Sequence, residues 1–341
     1  MFAPLLERLQ RREDLSTAEA AGAMAAVMDG RATPAQIAGL LVALRMKGEC
    51  PDEIVGFARA MRDRSVRLSK AYPDAFDTCG TGGDGGGTFN VSTVVALVLA
   101  ACGVTVAKHG NRSVSSRCGS ADLLAALGVN VSAAPAVVER CLDRVGMAFL
   151  FAPTFHPSMR HAAEPRRDLG VRTAFNLLGP LTNPAGVRRQ LVGVPRPELT
   201  ELVARALAAL GSERAWVVHG ADGIDEISTR GYTKVSECHH GVVRTFYVHP
   251  SEVGVPKAEW NDLAGGDAAE NAAITRAVLA GDRSARRDIV VLNAGVALLL
   301  AGRASSVREG MVRAGEALDT GAAADVLTRL VRESNQPEGG A

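Results

Sequence analysis

Six of the eight residues from Gly80 to Gly87 are glycine, within the stretch DTCGTGGDGGGTFNVST that begins at Asp77. Such a run has no side chains with which to build a core, and its backbone is free to take positive φ. Its flanks decide what it does. Ala75 to Cys79 reads as a short strand, and Val91 to Cys102 as an apolar helix. Strand, glycine loop and helix in that order gather main-chain N–H groups and a helix N-terminus around one point, which suits a phosphate group. Asn90, Ser92 and Thr93 add an amide and two hydroxyls there, although each also serves as an ordinary helix cap. A flexible linker is the competing reading, and the firm flanking elements argue against it.

The alternation continues along the chain. Strands are expected at Val104 to Ala107, 190–194, 215–219, 233–237 and 242–248, with helices at Ser120 to Leu127, 197–210, 268–280, 288–301 and 305–318. This is the pattern of an α/β fold with a mostly parallel central sheet covered by helices. Residues 1–70 differ: Ser16 with Glu19, and Thr33 with Gln36 and Pro34, read as capping boxes opening helices, and no strand pattern occurs. They predict a small N-terminal helical domain. From Ser334 the sequence SNQPEGGA reads as a frayed tail over 334–341. Aromatic residues make up only 4% of the chain, so the core must be built from Ala, Val and Leu.

The 38 basic and 37 acidic residues nearly cancel, giving a net charge of +1. A long polyanion is therefore a poor partner, and no nucleic-acid role is expected. The apolar runs at 94–102 and 295–302 are short of the roughly 20 residues of a membrane span. The N-terminus reaches Glu7 and Arg8 early, unlike a secretory leader. The six cysteines form no C-x-x-C pair. Reduced thiols in a cytoplasmic protein are the expectation.

Two familiar phosphate cradles fit poorly. No Gly-Lys-Ser or Gly-Lys-Thr is present, so there is no Walker loop. Gly80, Gly82 and Gly85 satisfy the dinucleotide G-x-G-x-x-G spacing, but that motif requires an acidic residue about 20 positions on. The second strand instead runs into Lys108-His109-Gly110-Asn111-Arg112. Loops after neighbouring parallel strands meet at the carboxyl edge of a sheet. Lys108, Asn111, Arg112, Ser115, Ser116 and Ser120 are thus expected opposite the glycine loop, with a solvated basic turn as the alternative. Asp225 and Glu226 offer adjacent carboxylates of the kind that hold Mg²⁺ beside a phosphate, though alone they read as an exposed acidic turn. Cys238-His239-His240 alternates across a strand-like stretch, so one metal could hardly collect it; an exposed edge or loop is expected. No nucleophile–base arrangement emerges.

GTGGDGGGTFNVST with KHGNRSVSSRCGSAD, together with FAPTFHPSMR (151–160), RRDLGVRTAFNLLGPLTNPAG (166–186) and GADGIDEIS (220–228), resembles the anthranilate phosphoribosyltransferase family of tryptophan biosynthesis over almost the whole chain. The resemblance implies a nucleoside phosphorylase/phosphoribosyltransferase-like fold. Its small helical domain would comprise 1–70 joined by about 163–186, and its large α/β domain 71–162 and 187–333. It implies transfer of a 5-phosphoribosyl group from phosphoribosyl pyrophosphate to anthranilate, with no residue assigned as acid/base or nucleophile. Phosphoribosyl pyrophosphate would meet Gly80, Gly83, Asp84, Thr88, Asn90, Val91, Ser92, Thr93, Lys108, His109, Gly110, Asn111, Arg112, Ser113, Val114, Ser115, Ser116 and Ser120. Anthranilate would meet Gly80, His109, Asn111, Pro153, His156 and Arg166, the guanidinium of Arg166 pairing with its carboxylate. Arg167 and Arg172 are expected to be structural or surface contacts. Two Mg²⁺ ions would sit on Ser92, Asp225 and Glu226, and the protein would be a homodimer through the helical domain. Ala125 stands where the family pattern leads one to expect Glu, away from the chemistry. Two other readings stay open on sequence: a pyrimidine nucleoside phosphorylase with a related KHG segment, and a nucleic-acid-binding relative.

Overall fold

The computed structural model describes residues 1–83, 87–113 and 117–337. Four helices open the chain: α1 (Phe2–Gln10), α2 (Thr17–Met28), α3 (Pro34–Lys47) and α4 (Pro51–Asp63). Both expected capping boxes form, with the Ser16 and Thr33 side chains accepting from the Glu19 and Gln36 amides. The helices cross closely because Gly56 has no side chain; a Cβ there would stand 2.4 Å from the Thr17 carbonyl oxygen. Buried Glu53 ties the unit together by accepting from Leu15 N and Cys50 N, each at 3.0 Å, beside the Lys47 ammonium at 3.2 Å.

The rest alternates. In order come β1 (Phe76–Gly80), α5 (Val91–Ala101), β2 (Val106–Gly110), α6 (Ser120–Ala126), α7 (Pro135–Val145) and β3 (Met147–Phe151). Three helices follow, α8 (Ala152–Phe155), α9 (Arg160–Leu169) and α10 (Phe175–Leu178). Then come β4 (Arg189–Gly193), α11 (Leu199–Ala209), β5 (Arg214–Gly220), β6 (Thr233–His239) and β7 (Val242–Val248). The chain ends with α12 (Trp260–Leu263), α13 (Ala268–Leu279), α14 (Ala285–Leu300), α15 (Val307–Asp319) and α16 (Ala322–Ser334). Among the described residues no helix is long and apolar enough to cross a membrane.

The seven strands lie in the order β3-β2-β1-β4-β5-β6-β7. The first five are parallel, and β6 and β7 add on as antiparallel neighbours. Chain direction across the sheet reverses between β1 and β4, and the crevice at the carboxyl ends of such a pair is where open α/β sheets bind ligands. Successive residues of β4 face opposite layers: Leu191 enters a core with α5, α7 and α14, while Val192 enters one with α2 to α4, α10 and α11. The helical unit thus packs through α10 and α11 onto one face of the sheet. On the other face Val94, Val95, Leu97, Val98 and Leu99 of α5 are fully buried. At about 1.5–3 kcal/mol each, these side chains fix α5, and so fix where its N-terminus points.

Seven elements have no counterpart in the sequence reading: β3 and the helices α7, α8, α9, α10, α12 and α16. β3 is the continuous apolar run MAFLF, which periodicity cannot tell from buried helix. Two expectations are corrected. Residues 334–337 do not fray: Ser334 is buried and accepts from Asn130 N at 3.1 Å, Asn335 donates to Gly128 O at 2.9 Å, and Arg140 donates to Gln336 O at 2.9 Å and Pro337 O at 3.0 Å. Residues 338–341 lie outside the described residues. Cys238 is also not at an edge, because β7 pairs beyond β6, and its thiol is buried in the layer that holds α11; only His239 and His240 are exposed, at the hairpin turn.

Candidate active site

A cleft of about 320 Å³ opens at the carboxyl ends of β1 and β2, next to the end of β4. Its floor starts with the first half of the glycine loop, where Gly82 and Gly83 have φ of +62° and +85°. Thr81 N donates to Gly193 O at 2.9 Å, which ties this loop to β4 across the switch point. Asn90 braces the far end of the loop, donating to Cys118 O at 3.1 Å and accepting from Asn271 Nδ2 at 3.0 Å.

Lys108 is the central cation. Its side chain is 1% exposed, and Nζ donates to Thr78 O and approaches Ser92 Oγ at 3.4 Å. Burial lowers its pKa, and the nearby Asp77 carboxylate opposes that fall. Asp77 itself is pushed up to about 6 by burial, against the pull of Lys108; it accepts from His109 N at 3.3 Å and from Asn183 Nδ2 at 2.8 Å. At the mouth of α5, Ser92 N donates to Glu226 Oε1 at 3.0 Å, so a carboxylate sits on the positive end of the helix. Asp225 stands beside it, close enough to Gly80 that a Cβ there would meet Asp225 Oδ2 at 2.3 Å.

The second wall follows β2. Arg112 Nη1 pairs with Asp122 Oδ1 at 3.0 Å, and Asp122 also accepts from Ser113 N at 3.0 Å and Gly119 N at 2.9 Å. Asn111 Oδ1 accepts from Arg112 N at 2.8 Å, and Ser120 Oγ donates to Asn111 O at 3.4 Å. The opposite end of the cleft is supplied by Arg166, Arg172, Phe175, Asn176, Gly179 and Pro180. Arg166 lies over the Phe175 ring at 5.0 Å, and burial lowers its pKa. His109 Nδ1 faces Gly179 O at 3.0 Å; burial drives its pKa down to about 3, so the ring is neutral.

Most of the expected residues therefore meet in one cavity: Gly80, Gly83, Thr88, Asn90, Val91, Ser92, Thr93, Lys108, His109, Gly110, Asn111, Arg112, Ser113, Ser120, Arg166, Asp225 and Glu226 all line it. Asp84, Val114, Ser115 and Ser116 lie outside the described residues. Pro153 and His156 are not in the lining. Pro153 is exposed on α8, and His156 is buried behind His109, with ring centroids 5.2 Å apart. Arg167 is exposed and pairs with Asp168 at 3.6 Å, as a surface residue does. Arg172 is the structural contact of the two. It reaches into the cleft, donates to Thr81 O at 2.8 Å, and its Nη1 lies where a Cβ on Gly83 would come within 1.8 Å. Asp77, Asp122 and Asn183 have no role in the sequence reading; single polar residues in strands and turns announce no partner.

The donor set fits Mg²⁺: two carboxylates and a hydroxyl, all hard oxygen ligands, at one lip of a polar cleft.

Residues 72–324 match the glycosyl transferase family, a/b domain, and residues 3–65 the glycosyl transferase family, helical bundle domain. The chain is 56% identical to an anthranilate phosphoribosyltransferase of Moorella thermoacetica, covering 97% of this chain and 98% of that one. It is 53% identical to that of Syntrophobacter fumaroxidans, over 97% and 98%. Among solved structures, the Thermus thermophilus enzyme superposes with a TM-score of 0.91 at 45% identity, covering 98% of this chain and 100% of that one. The Saccharomyces cerevisiae enzyme, solved in complex with PRPP and Mg, gives 0.87 at 29% identity over 98% of both. Full-length agreement in sequence, domain order and architecture leads to one conclusion: the chain belongs to the anthranilate phosphoribosyltransferase family.

Proposed function

We propose that phosphoribosyl pyrophosphate lies across the switch-point cleft, its pyrophosphate on the glycine loop and the α5 N-terminus, and that anthranilate meets it from the Arg166 end. The chain is an anthranilate phosphoribosyltransferase, which makes N-(5-phosphoribosyl)anthranilate and pyrophosphate in tryptophan biosynthesis. The observation that carries the placement is the convergence of Lys108 Nζ, Ser92 Oγ and Glu226 Oε1 at the mouth of α5.

As the bond from the anomeric carbon to the pyrophosphate oxygen breaks, positive charge develops on the ribose and the electron pair leaves with pyrophosphate. The anthranilate nitrogen forms the new bond with its lone pair and then gives up a proton. An aryl amine is neutral near pH 7, so what it needs is position rather than a strong base. Lys108, buried and aimed at the phosphate end, stabilises the leaving charge in a low-dielectric setting where it counts most. Asp77 and Asn183 hold the β2 end beneath it. Arg166 offers its guanidinium to the anthranilate carboxylate, and the Phe175 ring lies beneath that guanidinium as a cation–π partner. Neutral His109 packs beside the acceptor without adding charge. Asp225, Glu226 and Ser92 would hold two Mg²⁺ ions, which when bound supply charge neutralisation for the pyrophosphate. Pro153 and His156 act only from outside the lining, as entrance and support. A cytoplasmic homodimer through the helical unit belongs to the same reading, and sedimentation equilibrium tests the oligomer.

Amide hydrogen exchange tests the division of the cleft. Phosphoribosyl pyrophosphate with Mg²⁺ should protect residues 80–83, 91–93 and 108–113, and anthranilate should protect residues 172–180. Protection of the two segments in the reverse order would overturn the placement.

A further inference from the structure

Asn293 lies in the middle of α14, is fully buried, and lines no part of the cleft. An amide among apolar neighbours is costly unless its polar atoms are satisfied. Here all are. Oδ1 accepts from Ile227 N at 3.0 Å, and Nδ2 donates to Ile227 O at 3.0 Å and to Ile289 O at 2.9 Å. The side chain therefore grips both main-chain polar groups of one residue, as an adjoining strand would. That residue directly follows Asp225 and Glu226.

The opposite side of the same loop rests on glycine. A Cβ at Gly193 would stand 1.7 Å from Asp225 O, so the β4 end and the acidic loop touch backbone to backbone. Downstream, Ser228 N donates to Thr233 Oγ1 at 2.9 Å, and Ser228 Oγ donates to Asp222 Oδ2 at 2.9 Å. Among these braces Asn293 is the one that comes from a helix of the core, and it acts on the peptide next to Glu226.

We propose that Asn293 is a positioning residue for the Asp225–Glu226 pair. It fixes the backbone of Ile227 so that both carboxylates are presented before Mg²⁺ and pyrophosphate arrive. The inference rests on the reading that this pair holds the metal. Groups that orient ligands from behind commonly change metal affinity when they are lost, although they never touch the ion.

The test uses Asn293→Asp, which keeps an acceptor for Ile227 N and loses both donors, and Asn293→Ala, which loses all three bonds. The Mg²⁺ concentration for half-maximal rate should rise about tenfold. The anthranilate KM should stay within about twofold of wild type, because Arg166 and Phe175 are not linked to α14. In the metal-free variants the Ile227 amide should exchange faster than in metal-free wild type. An unchanged Mg²⁺ requirement in a folded variant, or an equal rise in the anthranilate KM, overturns the proposal. If neither variant folds, metal-free wild type decides: Ile227 protected like β5 supports it, and exchange at the rate of an open turn refutes it. Asp225→Asn with Glu226→Gln is the control. If its Mg²⁺ requirement does not move, the metal-site reading falls; if it moves while that of Asn293→Asp does not, the positioning role alone falls.

Discussion

The two ends of the cleft are built by different means. The end proposed for phosphate is mainly main chain: glycines at β1 and β4, the α5 N-terminus, and one buried lysine held by a carbonyl and a hydroxyl. The end proposed for the acceptor is mainly side chain, with Arg166, Phe175 and Asn176 carried on short helices between β3 and β4. Rigid main chain suits a substrate part whose charge must be met the same way at every turnover. Side chains on a separate element suit discrimination among acceptors. Arg172 joins the ends, rooted beside Phe175 and bonded to Thr81.

Three sets of substitutions test the difference between the ends. Lys108→Met should lower kcat/KM for phosphoribosyl pyrophosphate by about 10²–10³ with circular dichroism unchanged, the scale of losing a preorganised charge partner. A loss below tenfold would mean that the main chain alone carries the phosphate end. Asp225→Asn with Glu226→Gln should lower activity by about 10- to 100-fold and raise the Mg²⁺ requirement; steady-state rates across a Mg²⁺ series read both. Arg166→Ala should raise the anthranilate KM by about tenfold, as loss of a charged hydrogen bond does, with little change for phosphoribosyl pyrophosphate. Equal effects on both substrates would erase the distinction between the ends.

The smallest effect concerns pH. Burial lowers His156 from 6.5 to about 4, so the unfolded chain takes up its proton before the folded one does. The stability it contributes is complete above pH 6.5 and is lost as pH falls from there through 4. His156→Gln should shrink the drop in Tm between pH 7 and pH 5 by about 3 °C, measured by calorimetry. An unchanged drop would show that His156 titrates as if exposed.

How legible each end is in the sequence follows from how it is made. Glycines, a lysine after a strand and adjacent acids are recognisable as residue types, and the parallel topology brings Gly80, Lys108 and Asp225 together with no rotamer to guess. The acceptor end depends on where each side chain points. Arg166 lines the cleft and Arg167 does not, because successive helical positions face different ways. Arg172 comes inward after Gly170 turns the chain with φ of +62°. His156 belongs to the expected neighbourhood, yet it packs behind His109 rather than into the cavity. Asn293 leaves a visible trace, a lone amide in the run VVLNAGVALLL. Its partner, Ile227, is distant in sequence, so only the fold reveals it.

Joining anthranilate to the ribose of phosphoribosyl pyrophosphate is the reaction this cleft is proposed to hold. Anthranilate is fluorescent, so its loss can be followed directly with the purified protein while released pyrophosphate is counted. Fluorescence should fall only when phosphoribosyl pyrophosphate and Mg²⁺ are both present, with one pyrophosphate per anthranilate consumed. Steady fluorescence under those conditions, with phosphorolysis of thymidine by the same preparation, would contradict it.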